Sequence, residues 1–292
     1  MGDWKDDIRA QLIDVRGQPT RPNLHRLSTS HAIDARSFHA LRTHQQHWAQ
    51  AYCAGLSVRA AVITGRASAY LNGMWTANTP LHTTHLILPS VPPRRQWPAG
   101  ITYVRATLDE SAITRGAAMS TTTAFRTFTD IARFDGLAHA LVAADWLVKY
   151  GGYTPAALRS AVEGLPRVPG KPVAREAARH ALRETDSAPE SFARGLLIAA
   201  GFTRVEANVQ IPGLGYRVDL LIDGWLIIEI DGLVKYDGTT YGPADKALLA
   251  EKRRADRLNN AGYPILRFPP SFLERQPEKF IAQVRARHER GW

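Results

Sequence analysis

The sequence predicts a two-domain α/β (α+β) protein, and three observations carry that expectation. The chain has 292 residues, and single domains usually run to roughly 100–200. Its middle stretch reads as mostly helical, with a few short strands between the helices. Its last third reads as helix, two or three strands, helix, strand and helix, the order of a mixed sheet flanked by helices. Composition breaks near "RETDSAPES". The expected divisions are therefore an N-terminal arm or helical segment (1–54), an α+β domain (55–185) and a C-terminal domain (186–292).

The elements are read in order. Residues 1 to about 55 begin polar and irregular, with "RGQPTRPNLHR" as an exposed loop, followed by one helix over "DARSFHALRTHQQHWAQAYCAG" ending at Gly55. "AVITGRASAYLNGMW" is a strand end running into a helix, and "THLILP" and "ITYVRAT" are short strands. "TAFRTFTDIARF" and "LAHALVAADWLVKYGG" are helices, the second stopped by Gly151 and Gly152. Two more helices follow in "TPAALRSAVEGLP" and "KPVAREAARHALRET", broken apart by Pro166, Pro169 and Gly170. The C-terminal third then places a helix at 190–200, strands within 204–231, a helix at 244–260, a strand at 264–268 and a basic helix at 276–289.

Composition narrows the class. Hydrophobic residues at 45% and charged residues at 22% suit a globular chain able to bury a core. A single cysteine, Cys53, excludes an internal disulfide and a cysteine-based zinc site, which favours a reducing cytoplasm. The start "MGDWKDDIRA" has no apolar run and does not read as a signal peptide. No apolar run reaches the roughly 18 residues of a membrane span. A net charge of +10 attracts polyanions, of which nucleic acid is the commonest inside cells. The plainer account of the charge is solubility and an arginine-rich composition, and charge alone does not separate DNA from RNA.

Three acids, Asp219, Glu229 and Asp231, stand in the otherwise apolar "DLLIDGWLIIEIDGLVKYDG". A two-residue Asp223-Gly224 turn would put Asp219 and Glu229 on opposite faces of the hairpin, because side chains alternate. An odd loop of about three residues, Ile222-Asp223-Gly224, gives a cleaner partition. One face then carries Val218, Leu220, Leu226, Ile228 and Ile230. The other carries Arg217, Asp219, Leu221, Ile227, Glu229 and Asp231. Gathering the hydrophobic residues gathers the acids too. Neighbouring carboxylates repel and resist burial, so they need either a cation such as Arg217 or Lys235 or a divalent metal. Oxygen ligands suit Mg2+ or Mn2+, and such an ion can activate water against a phosphodiester. An Arg217 salt-bridge network is the structural alternative.

The pattern "YRVDLLIDGWLIIEIDGLVKY" with "EKRRADRLNNAGYPILRF", over about residues 186–275, resembles domains related to the very-short-patch-repair endonuclease. That group belongs to the PD-(D/E)xK nuclease superfamily. The resemblance implies a restriction-endonuclease-like fold and a metal-dependent DNA endonuclease acting in defence or repair. It implies Asp219 and Glu229 as metal ligands, with Glu190 as a further one. Lys235 would orient water or stabilise the transition state, and Asp231 stands where the superfamily's Glu-x-Lys signature has lysine. Each residue also has a structural reading. Ser187 and Glu190 form a capping box, Lys235 is a surface charge, and Asp231 stiffens the turn before Gly232.

In the helix "PADKALLAEKRRADRLNNAG", Leu248, Ala255 and Leu258 share a face. Lys252, Arg253, Arg254 and Arg257 are expected to radiate outward, either as a phosphate grip or as a solvated face. Arg267, in the strand after it, has no assigned face.

Residues 55–185 resemble, more weakly, the region found in type IV antitoxins of the AbiEi kind, through "GRASAYLNGMW" and "FRTFTDIARF". That resemblance implies a DNA-binding regulator with a possible cognate toxin. Relatives often begin with a winged helix-turn-helix, which this N-terminus does not clearly show. Arg126 and Asp130 read as an i,i+4 ion pair. His82 and His85 read as the polar entry to a strand, since no acid or cysteine completes a metal set. Trp4, Trp48, Trp75 and Trp97 look scattered, with no stacking platform among them.

Overall fold

The computed structural model describes residues 3–19, 21–58, 60–230 and 244–291. Its contacts group into two compact units, residues 1–136 with 165–174 and residues 137–164 with 175–292. Both mix helices with sheets. No helix among the described residues is long and apolar enough to cross a membrane.

The first unit opens with α1 (Trp4–Ala10), then β1 (Ile13–Asp14), β2 (Leu24–Arg26) and β3 (His31–Asp34), which form a sheet of order β1-β3-β2. The stretch expected to be irregular is therefore ordered. Its strands are two to four residues long and rich in polar residues, and Ile8, Val15, Ala32 and Ile33 anchor them in the core. The single helix expected to end at Gly55 is two, α2 (Ala35–Ala40) and α3 (Thr43–Ser57). Leu41 is extended, and the Arg42 N–H donates to Gln45 Oε1 at 2.9 Å, which starts α3. Gly55 lies inside α3 and is no stop signal. A Cβ there would meet Ile63 Cδ1 at 2.5 Å and Met119 Sδ at 2.7 Å, so these two side chains close on the space the glycine leaves.

The main sheet of this unit has the order β6-β5-β4-β8-β7. Its strands are β4 (Val62–Thr64), β5 (Thr84–Leu88), β6 (Ile101–Arg105), β7 (Ile113–Arg115) and β8 (Ser120–Thr122). β4 runs directly into α4 (Gly65–Asn72), which Gly73 ends in the left-handed region, and β8 leads into α5 (Ala124–Phe134). Ile63, Leu86 and Ala67 pack with Ala51 and Ala54 of α3. Beneath them lies a buried polar seam. Asp130 accepts from Arg126 Nε at 2.8 Å and from Thr64 Oγ1 at 2.5 Å, and Thr122 bonds Thr127 at 2.7 Å. The expected Arg126–Asp130 pair is thus present, with Thr64 added. His85 stacks on Phe134 at 3.9 Å between centroids, and burial pushes its pKa down to about 4.

The second unit contains α6 (Gly136–Lys149), α7 (Pro155–Glu163), α8 (Lys171–His180, from Arg175 onward) and α9 (Ala188–Ala199). The contacts draw α6 and α7 together with the C-terminal sheet, across the boundary expected near residue 186. Two features do this. A Cβ on Gly195 of α9 would lie 2.6 Å from Ala138 Cα, so α6 and α9 approach backbone to backbone. Fully buried Asp145 of α6 accepts Arg194 Nη2 on both oxygens at 2.8 Å, with Leu182 N–H and Thr185 Oγ1 satisfying it further.

The sheet of this unit has the order β12-β11-β10-β9, from β9 (Val205–Gln210), β10 (Arg217–Ile222), β11 (Leu226–Glu229) and β12 (Ile265–Arg267). The first three strands run antiparallel in chain order. Helix α10 (Ala244–Asn260) then carries the chain to β12, which pairs parallel with β11. Helices α11 (Pro270–Arg275) and α12 (Pro277–Glu289) close the unit.

Candidate functional site

The geometry of the acids follows from one turn. Asp223 and Gly224 both have positive φ, 49° and 78°, and the Trp225 N–H donates to Ile222 O at 3.1 Å. That is the turn an Asp-Gly pair favours. Trp225 nevertheless adds a third loop residue, so the ladder pairs Ile222 with Leu226, Leu221 with Ile227 and Leu220 with Ile228. The loop is odd, as expected, but it is Asp223-Gly224-Trp225, and Ile222 stays in the strand. Trp225 is held out of register by α12, with Arg287 over its ring at 5.2 Å and His288 stacked at 5.7 Å. Asp223 also bonds His288 Nε2 at 2.6 Å.

An odd loop puts Asp219 and Glu229 on the same face, and continuing the ladder sets them opposite one another. Asp219 Oδ2 accepts the Ile230 N–H at 2.8 Å across that step. The acid-bearing face is not open, because Leu258 of α10 packs on Leu221 and Ile227. Leu220, Ile222, Leu226 and Ile228, on the other face, are fully buried as well.

The cations that answer the acids are not the expected ones. Glu229, 4% exposed, accepts Arg254 Nη2 on Oε1 at 2.5 Å and Arg267 Nε on Oε2 at 2.9 Å. Glu251 bridges the same two guanidiniums. The expectation that Arg254 radiates outward is corrected: it stands four residues before Leu258, so both share the face of α10 that meets the sheet. Arg267 is brought in by register, since Glu229 pairs with Arg267 in the parallel β11–β12 ladder. Arg217, offered by the sequence as the neutralising cation, turns instead to Asp186. Lys149 also reaches Asp186, at 3.0 Å, and the hydrogen bond from Lys149 together with the charge of Arg217 lowers its pKa.

The remaining candidates are placed as follows. Lys252, Arg253 and Arg257 are exposed on α10, and Arg257 reaches the Tyr216 hydroxyl at 3.3 Å. Glu190 occupies the start of α9, where its oxygens accept from Ser187 Oγ at 2.7 Å, the Asp186 N–H at 3.0 Å and Asn208 Nδ2 at 3.2 Å. No hydrogen bond described here joins it to Asp219 or Glu229. Asp231 and Lys235 lie outside the described residues.

The donor set can be tested against a divalent ion. Asp219 and Glu229 present hard oxygens side by side, as magnesium or manganese requires. Each carboxylate offers roughly four lone-pair sites, and Glu229 meets one guanidinium at each oxygen. Two ligands therefore fit. Among the described residues no group of three or more His, Cys, Asp or Glu side chains is gathered for a metal. Sequence reasoning missed Arg254 and Arg267; the signal available for the first was its i,i+4 spacing to Leu258. In comparisons with known proteins, no family model, no curated protein and no solved structure matches the chain.

Proposed function

We propose that the second unit is a DNA-binding unit of the PD-(D/E)xK nuclease kind, in which Asp219 and Glu229 take a magnesium or manganese ion to hydrolyse phosphodiester bonds in defence or repair. The observation that carries this reading is the pairing of two acids on one face, Asp219 within β10 and Glu229 at the end of β11. A mixed sheet with a helical crossover to its last strand supports the restriction-endonuclease-like fold. Bound there, the metal would stabilise charge on the phosphate and lower the pKa of an attacking water. The chain's own residues hold and orient. Arg254 and Arg267 fix the Glu229 carboxylate and cancel its charge, and an incoming phosphate competes for the same guanidiniums. Lys252, Arg253 and Arg257 grip the backbone from the exposed face of α10 without reading bases.

The test is incubation of plasmid and linear DNA with magnesium or manganese, comparing the natural chain with Glu229→Ala. Metal-dependent cleavage by the natural chain, reduced on the order of a hundredfold or more in the variant, is expected from loss of a metal ligand. No cleavage of any substrate, with DNA binding retained, overturns the enzyme reading.

A second reading is favoured by a specific observation. Both oxygens of Glu229 already accept guanidinium N–H groups, in a network of two arginines and two glutamates that is neutral as it stands. A site so compensated can bind DNA without turnover. The chain would then be a regulator or antitoxin of a type IV system with a cognate toxin. Retained binding to the promoter of its own operon, without cleavage, distinguishes that role.

A further inference from the structure

The aromatic residues that look scattered in the sequence converge in the first unit. Trp4 meets Trp48 edge to face at 5.5 Å, and Trp48 stacks on Tyr52 at 4.9 Å with 12° between planes. Over this stack lies the guanidinium of Arg9, 5.4 Å from each of the Trp48 and Tyr52 ring centroids. Lys5 stands one turn earlier on α1, its ammonium 5.8 Å from the Trp4 ring. These groups border a cleft of about 460 Å³ that continues past Leu71 and Asn72 of α4 to Thr114 and the turn at Gly116–Met119.

Three properties of this cleft define its ligand. Its size falls in the ~300–1,000 Å³ range of small-ligand sites. Its lining contains two cations and no carboxylate, so its occupant is anionic. Its lining joins the aromatic and apolar side chains of Tyr52, Leu71 and Met119 to the polar ones of Asn72 and Thr114; the Asn72 amide donates to Ser68 and Thr121 at 3.2 and 3.0 Å, which holds its Oδ1 in place as an acceptor. A planar ring with polar edges fits such a lining. Arg9 is pre-positioned by the two rings beneath it, which lowers the entropy lost when it binds a phosphate. Its contact with exposed Asp6 leaves the guanidinium part-exposed. An anion attached to a flat, hydrogen-bonding ring is a nucleotide.

We propose that this cleft binds a nucleotide unit, with the phosphate on Lys5 and Arg9 and the base against Tyr52, its edge read by Asn72 and Thr114. The site is independent of the acid pair and stands whether or not that pair cuts DNA. The ligand is either a free nucleotide or one residue of a single strand, where stacking and cationic contacts operate together.

Calorimetric titration of the full chain with adenosine monophosphate, a short oligothymidylate and inorganic phosphate tests the proposal. Binding of either nucleotide probe is expected, weakened at least tenfold in Lys5→Glu/Arg9→Glu and left unchanged in Arg179→Ala, at an exposed arginine of the second unit. Asn72→Leu should weaken the nucleotide probes and spare phosphate. Melting temperature and circular dichroism of each variant confirm that it folds. Should the charge reversal disturb folding, Lys5→Ala alone gives the same comparison. Binding of the monophosphate alone assigns the site to free nucleotides, and binding of the oligonucleotide alone assigns it to single strands. The proposal is overturned if neither probe binds, if binding survives the loss of Lys5, or if phosphate competes as well as the whole nucleotide.

Discussion

At the scale of single residues, the most deeply buried acid of the second unit, Asp145, is answered by an arginine. Asp145 is fully buried and Arg194 nearly so, and the pair is joined by two bonds of 2.8 Å. Breaking such a pair costs ~3–5 kcal/mol because the survivor is stranded. Asp145→Ala should therefore lower the urea-unfolding free energy by about that amount. The two histidines His47 and His85 behave differently, since burial pushes both pKa values down to about 4. An unfolded histidine titrates near ~6.5, so the unfolded chain takes up protons first as pH falls. Stability is full above pH ~6.5 and declines toward pH ~4. His47→Gln should flatten part of that decline, as unfolding curves measured across this range would reveal. The acids Asp219 and Glu229 were legible at this scale, since only alternation was needed to pair them. Their arginine partners were not: Arg267 arrives by the register of a parallel ladder whose crossover spans dozens of residues.

At the scale of elements, the hairpin decides the site by parity. Its loop holds three residues because Trp225 is drawn to Arg287 and His288 of α12, a contact that local sequence does not announce. The apolar pattern alone reaches the right faces, and the loop it suggests, Ile222-Asp223-Gly224, lies one residue early because it ends at Gly224 rather than Trp225. Gly224 has φ +78°, a region costing other residues roughly 1–2 kcal/mol. Gly224→Ala should destabilise the second unit by about that much while leaving Asp219 and Glu229 on one face. Thermal melting reads the first outcome, and the structure of the variant reads the second. Helices with clear stop residues were also legible, as at Gly151 and Gly152, just past the end of α6 at Lys149. The short strands β1–β3, β7 and β8 were not, because runs of two to four polar residues carry no periodicity.

At the scale of the whole molecule, the charge of +10 predicts a salt-sensitive interaction with polyanions. Each phosphate contact contributes ~0.9 to the slope of log affinity against log salt for duplex DNA. Replacing Lys252, Arg253 and Arg257 together by alanine should reduce that slope by ~2–3 and weaken binding evenly across sequences. Filter binding or fluorescence anisotropy at several salt concentrations measures both. An unchanged slope would remove α10 from the DNA-binding surface. Net charge was fully legible in the sequence. Which cations face outward was not, because one of the four expected to radiate from α10, Arg254, turns inward to Glu229.

The separation between the acids and their arginines has a consequence during synthesis. Glu229 is neutralised by Arg254, 25 positions later, and by Arg267, 38 positions later. At ~5–20 residues per second, the hairpin is made a few seconds before either guanidinium exists. For that interval the nascent chain carries a close pair of carboxylates with neither arginine in place, at the moment when the strands bearing them must zip together. Until the crossover segment has been made, the close approach of Asp219 to the β11 end is opposed by charge that only the later arginines remove.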